Sequence, residues 1–229
     1  MRDKVLISIL VGKGTKLQHG IYLCSLFFYL AIMFLLAQSV FPGEYSPLVN
    51  HISDQGGIAD NPKGHIYFII GVGMTGFLLI PHFLYLYRNF MPTTKLLTFI
   101  TCLLGIVGAI AFSFVGLIPE DFEQPHSNFA DIAFGSLSIC MLLSFFILLR
   151  KVHLKEPWPN LKEVIIIYSI IFGLIGLIIT FPSVSYNENW NIDPRLFTWP
   201  PWQWTGLVTI ILWILLIFLI IPDNTKKEE

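Results

Sequence analysis

The sequence predicts an all-α integral membrane protein, a single bundle of six transmembrane helices over residues 1–229 with both termini cytoplasmic. Three observations predict it. Composition is the first: 55% of the chain is hydrophobic and only 13% charged, where a soluble domain carries about a quarter charged residues. The second is a set of six apolar runs, each about 18–24 residues and so long enough to cross a bilayer. The third is charge asymmetry: placing both termini on one side puts twelve of the fourteen Lys and Arg there. That side should be the cytoplasm. The multi-pass reading places the protein in a membrane. Net charge is -1, so there is no electrostatic footprint for nucleic acid.

The elements follow in order. Residues 1–20 are basic, with Arg2, Lys4, Lys13 and Lys16. Their apolar patch, 5–11, is too short to span and lacks the cleavage site of a secretory signal. It reads as a short amphipathic segment lying at the interface. The six spans are then about 21–41, 65–87, 96–118, 128–149, 164–181 and 202–221. They lack the dyad alternation of barrel strands, so they must be helices, which satisfy their own backbone in hydrocarbon. Outward loops are 42–64, 119–127 and 182–201. Inward loops, 88–95 and 150–163, are short and basic.

Trp190, Trp199, Trp202 and Trp204 gather at the outer end of the sixth span, with Trp158 near the inner face. Tryptophan favours the headgroup region, so an aromatic belt explains them. Cys24, Cys102 and Cys140 lie singly inside apolar runs and read as small packing residues. The run from Gly71 to Gly76 matches the dinucleotide pattern G-x-G-x-x-G. It lies in a span and not after a strand, so it reads instead as a close helix–helix contact. Pro81 should kink the second span near its inner end. His82 beside it is either a packing histidine or a proton relay. His19 and His153 read as surface residues of the inner face.

Chemistry-bearing side chains collect in the outward loops. The first loop supplies His51, Ser53 and Asp54, and His65 stands at the mouth of the second span. The second supplies Glu120, Asp121 and His126, and Asp131 sits about one turn into the fourth span. An acid at that depth costs up to roughly 3 kcal/mol at the bilayer centre. The helix N-terminus offsets part of that cost. Ser127 and Ser138 extend Asp131 into a polar stripe.

Three readings of this set stand side by side. Ser53 and Asp54 could bond backbone amides and pin the first loop. The whole set could line a pocket for a lipid head group or small molecule. Asp54, His126 and Asp131 could act in catalysis, with His126 and Asp131 as ligands of a divalent metal. No H-E-x-x-H spacing is present, and Ser53 lacks a nucleophile-elbow context. A single composite site further requires that Asp54 meet His126.

The residues Tyr45-Ser46-Pro47-Leu48, Ile52-Ser53-Asp54-Gln55-Gly56 and Pro62 lead into a glycine-bearing span. Gly116-Leu117-Ile118-Pro119-Glu120-Asp121 and His126 open another. In these marks the chain resembles the prokaryotic membrane family designated domain of unknown function 998, with Gln55 standing where its I-S-D-L-G-like motif has leucine. More distantly, it is similar to a eukaryotic six-span family that includes factors for lipid remodelling of GPI anchors and modulators of autophagy. The first resemblance implies a prokaryotic plasma membrane as the location, and together they imply membrane lipids as the partner class. The expected function is therefore an outward-facing polar pocket that binds or processes lipid head groups. A membrane hydrolase or transferase, or a regulatory subunit without catalysis, are the alternatives.

Overall fold

Thr15 sets where the first crossing begins. Its hydroxyl accepts from the Gln18 amide at 3.3 Å, and the Gln18 side chain accepts from the Thr15 amide at 3.0 Å. This reciprocal capping box satisfies two N-terminal donors. It starts the helix at Lys16, five residues before the apolar run suggests. The computed structural model describes residues 2–91, 94–154, 168 and 198–221. Their helices are α1 (Arg2–Leu10), α2 (Lys16–Ser39), α3 (His65–Phe90), α4 (Lys95–Leu117), α5 (Glu123–His153) and α6 (Trp199–Ile220). A single 3-10 turn, Ser53–Gly56, lies between α2 and α3. Five of the helices, α2 to α6, are long and apolar enough to cross a membrane. The remaining expected span, 164–181, lies outside the described residues except for Tyr168. No strand occurs among the described residues.

Small residues let α3 and α4 lie backbone to backbone. A Cβ on Gly76 would collide with the Ser113 hydroxyl and the Ala109 carbonyl, and one on Gly116 with the Gly73 backbone. The run that imitates a dinucleotide loop is thus helical packing surface. Pro81 lies inside α3. It cannot serve the Phe77 carbonyl one turn back. One position on, the Tyr22 hydroxyl of α2 donates to the Leu78 carbonyl and ties the two helices together beside the proline.

On α2 the buried residues Leu23, Leu26, Leu30 and Phe34 recur at three- and four-residue intervals. Leu17, Ile21, Phe28 and Leu35 are exposed. An apolar exposed face on a helix with an apolar buried face is what a lipid-facing element requires.

The bundle has two distinct ends. At the terminal end, Gly12 turns with φ 71° and lets α1 lie against the backbone of Leu84 and Tyr85. Arg88 Nε donates to the Val11 carbonyl at 3.1 Å. Lys16 Nζ donates to the carbonyls of Leu219 at 2.8 Å and Ile221 at 2.5 Å. A cation there caps the C-terminus of α6 and opposes its dipole. The loop end holds the 3-10 turn, the starts of α3, α5 and α6, and the segment between α4 and α5. Inside the core, Trp213 Nε1 donates to the Tyr168 hydroxyl at 2.6 Å, and Ser144 lies 3.1 Å from that hydroxyl. This ties α5, Tyr168 and α6 together.

Candidate functional site at the loop end

The first loop is held by its own polar side chains. Asp54 accepts from the His51 amide at 3.0 Å and from Asn50 Nδ2 at 3.3 Å. Asn50 Oδ1 in turn accepts from the Ser46 amide at 3.0 Å. The Tyr45 hydroxyl is the hub. It donates to the His51 carbonyl at 2.9 Å and accepts from Gln55 Nε2 and Trp204 Nε1, each at 3.1 Å. Burial pushes its phenol up to about 12, so the donated proton stays in place at neutral pH. Gln203 of α6 accepts from the Ile52 amide at 2.7 Å.

Asn61 closes the loop onto the bundle. It is fully buried. Its Nδ2 donates to the Ala37 carbonyl at 3.0 Å and to the Gln55 carbonyl at 3.1 Å, while Oδ1 accepts from the Gly64 amide at 3.0 Å. One side chain therefore joins the end of α2, the 3-10 turn and the start of α3. His65 Nδ1 lies 3.3 Å from the Asn61 carbonyl.

The segment between α4 and α5 docks on this loop through Asp121. Its two oxygens accept from the amides of Ile58 at 2.6 Å and Ala59 at 3.0 Å. Those amides hold its carboxyl below the usual carboxylate range. Glu120 beside it behaves in the opposite way. Burial, and then the negative charge of Asp54, push it up to about 7. The facing Ser53 hydroxyl offsets part of that rise. Burial also raises the carboxyl of Asp60, helped by Asp54 and Asp121. Four carboxyl groups thus crowd one end, and Glu120 is the one carried into the neutral range.

The eight candidate residues separate into three settings. Asp54, Asp121 and His65 bond to the loop backbone. Ser53 forms a second group with Glu120 on one side, whose carboxyl also meets Asp54, and with His126 on the other. His126 Nδ1 is 2.8 Å from the Ile118 carbonyl, and its ring shares with Ser53 and Gln203 the wall of a cavity of about 20 Å³. His51 and Asp131 form the third. They line a cavity of about 560 Å³ between α5 and α6, with Ser138, Gln203 and Thr209 as its other polar walls. Trp199, Trp202, Phe134 and Ile210 supply apolar surface to the same cavity.

Asp54 and His126 do not form the expected pair. Asp54 turns to the first loop's backbone and His126 to the Ile118 carbonyl. The reason is local: each group finds a backbone partner within a few residues. Among the described residues no three His, Cys, Asp or Glu side chains converge as metal ligands. His126 and Asp131 lie five positions apart on α5 and border different cavities. Asn61, Gln203 and Tyr45 carry more of the site's geometry than the sequence reading gave them. The clue to Asn61 was its place between Asp60 and Pro62, just before a helix.

No curated protein and no solved structure matches the chain. One family model does, over residues 23–221, which takes in all five described spans except the first turns of α2. The chain belongs to that family, described as Protein of unknown function (DUF998).

Proposed function

We propose that this is a six-span plasma-membrane protein, its termini cytoplasmic and its loop end outward, that binds lipid head groups in the cavity between α5 and α6. The observation that carries the reading is Asp131. It is an acid on a membrane-spanning helix, and it borders a cavity of about 560 Å³ whose other walls are part polar and part apolar. Ionisable groups at such depth face the bundle interior or a polar cavity when they serve a function. The volume falls within the usual range of ligand sites, about 300–1,000 Å³, and its mixed lining suits an amphiphile. Asp131 and His51 would meet the head group, while Phe134, Ile139 and Ile210 offer surface to an acyl chain. The carboxylate of Asp131 favours an amine-bearing head.

The test is lipid retention. Protein would be purified gently from nanodiscs of mixed phosphatidylethanolamine and phosphatidylglycerol and weighed by native mass spectrometry. Wild-type protein should keep about one lipid per chain, enriched in phosphatidylethanolamine. Asp131→Asn should keep roughly a fifth as much or less, since a charge-assisted hydrogen bond contributes about 1.5–3 kcal/mol. Equal retention by the variant, or no retained lipid in either protein, refutes the assignment.

A further inference from the structure

Among the described residues, five buried side-chain atoms find no hydrogen-bond partner: His19 Nδ1, His82 Nε2, Thr75 Oγ1, Gln55 Oε1 and Glu120 Oε2. Buried polar groups are normally satisfied, so each such atom calls for a reason. Their positions supply one. Thr75 and His82 lie on the buried face of α3. His19 of α2 meets that face at the terminal end. Gln55 belongs to the 3-10 turn packed on α3, and Glu120 faces the adjoining Ser53. Two of the five atoms thus lie on α3 itself, and the other three belong to α2, the 3-10 turn and the segment between α4 and α5.

The terminal-end pair is the most developed part. His19 Nε2 and His82 Nδ1 are 3.2 Å apart. Both rings are fully buried, so the reading of His19 as a surface residue is overturned. Tyr85 stacks on His19 with centroids 4.2 Å apart, and Tyr22 and Phe218 flank it at 5.9 Å each. Among the described residues, the rings packed on the pair are Tyr22 of α2, Phe83 and Tyr85 of α3 and Phe218 of α6. Lys16 directs its ammonium to the last carbonyls of α6. In such a pair the inward nitrogens share one proton and each ring keeps one outward nitrogen. One outward nitrogen carries a proton and the other is bare. A proton delivered to the bare nitrogen lets the shared proton move across the 3.2 Å gap. The proton on the far outward nitrogen then leaves. One proton is taken up, one is released, and the two tautomers have exchanged.

Between this pair and the loop end lie two small cavities of about 20 Å³ each. One is bordered by Ser53, His126 and Gln203, the other by Thr75 and Leu79. The first has polar groups on its wall and room for one water molecule, while the second is walled by apolar surface with Thr75 as its polar residue. They share Phe112, Phe134 and Leu207 as common walls, so side-chain motion at these three residues would join them.

We propose that the bundle conducts protons along α3, from Glu120 and Ser53 at the loop end, past Thr75, to the His82–His19 pair at the terminal end. The apolar walls between the two cavities make the path a gated one, so slow flux and not a channel-like current is expected. This inference does not rest on lipid binding between α5 and α6.

The test is proton flux into phosphatidylcholine–phosphatidylglycerol vesicles that hold a pH-sensitive dye, driven by an imposed pH step. Vesicles with full-length protein should acidify faster than protein-free vesicles. His82→Gln and Glu120→Gln should each slow the excess flux about tenfold, the effect of some 1.4 kcal/mol on a barrier. Thr75→Val, nearly the same shape, should slow it several-fold, and it preserves the packing even where a histidine variant fails to fold. Ser39→Ala, exposed and bonded only within its own turn, should leave it unchanged. Wild-type flux no greater than that of protein-free vesicles overturns the proposal. So does undiminished flux in both Thr75→Val and Glu120→Gln.

Discussion

The two ends of the bundle treat polar side chains in opposite ways. At the loop end Asp54, Asp121, His65 and His126 meet backbone groups, Asp121 through two amides, and Asn61 joins three elements, while Glu120 keeps one buried oxygen unserved. At the terminal end two histidines are buried among aromatic rings. They bond only to each other, and each has one nitrogen unserved. Histidine stands at both ends, satisfied by backbone at one and unserved at the other, so residue type alone does not tell structure from function. Satisfaction does. A buried polar group with all its partners stabilises the fold, because removing it strands those partners. One without partners weakens the fold and persists for another reason. By this criterion Asp54 and Asp121 are structural pins, and His19, His82 and Glu120 are the groups free to do chemistry.

The largest effect should come from Asn61. Asn61→Leu keeps the branched side-chain skeleton but strands the carbonyls of Ala37 and Gln55, and leaves the Gly64 amide only its bond to the Asn61 main-chain carbonyl. Unsatisfied buried groups cost about 1–3 kcal/mol each, so a loss of roughly 3 kcal/mol or more is expected once the structure relaxes. Thermal unfolding in a fixed detergent would read it directly. A loss within 0.5 kcal/mol or so, the range of a surface substitution, would break the comparison at its satisfied end.

Glu120 should give an intermediate effect with a definite sign. Its folded pKa, about 7, lies above the ordinary 4.5. The folded state therefore binds more protons than the unfolded one between those values. Its contribution to stability is fully present below about 4.5 and is lost as pH rises through about 7. Melting temperature should accordingly fall between about pH 5 and pH 8, and Glu120→Gln should flatten that part of the profile. A profile equally steep in the variant would assign the dependence to another group.

Much of this is legible in the chain itself. Hydropathy placed α2 to α5 and α6 within a few residues, because a lipid-facing helix must be apolar along its length. The early start of α2 was also written locally, in Thr15 and Gln18, where polar residues make the cap that hydropathy overlooks. The polar first loop announced itself by its turn formers. What could not be read was partnership. His19 sits among basic residues and looks interfacial; it is buried by Tyr85 and Phe218, which come from far along the chain. His82 invited two readings because its partner lies 63 positions away. Asp54 and His126 were expected to meet because both lie at one end, but nearby backbone groups took each of them first. Long-range pairing of this kind leaves no periodic mark in a single sequence.

The smallest effect should come from the histidine pair, and it is the sharpest test of the contrast. Consider His82→Leu. Wild-type protein buries two unserved nitrogens, His19 Nδ1 and His82 Nε2. The variant also buries two, Nδ1 and Nε2 of His19 alone, so the number of stranded atoms is unchanged. What is lost is one hydrogen bond, worth about 0.5–1.5 kcal/mol net. What is gained is an apolar side chain in an aromatic and aliphatic setting, in place of a buried imidazole. The net cost should be about 1 kcal/mol or less. Replacing both, as His19→Leu with His82→Leu, removes every stranded nitrogen of the pair and should be neutral or stabilising, as with other buried polar pairs exchanged for apolar residues. The two changes should therefore be strongly non-additive, with the double variant more stable than either single one. Unfolding in the same detergent as Asn61→Leu makes the values comparable. If the double variant loses as much stability as Asn61→Leu, the histidines hold the fold together as the loop-end residues do, and satisfaction fails to distinguish the two ends. If it stays folded while proton flux disappears, the pair is retained for its chemistry at no benefit to stability.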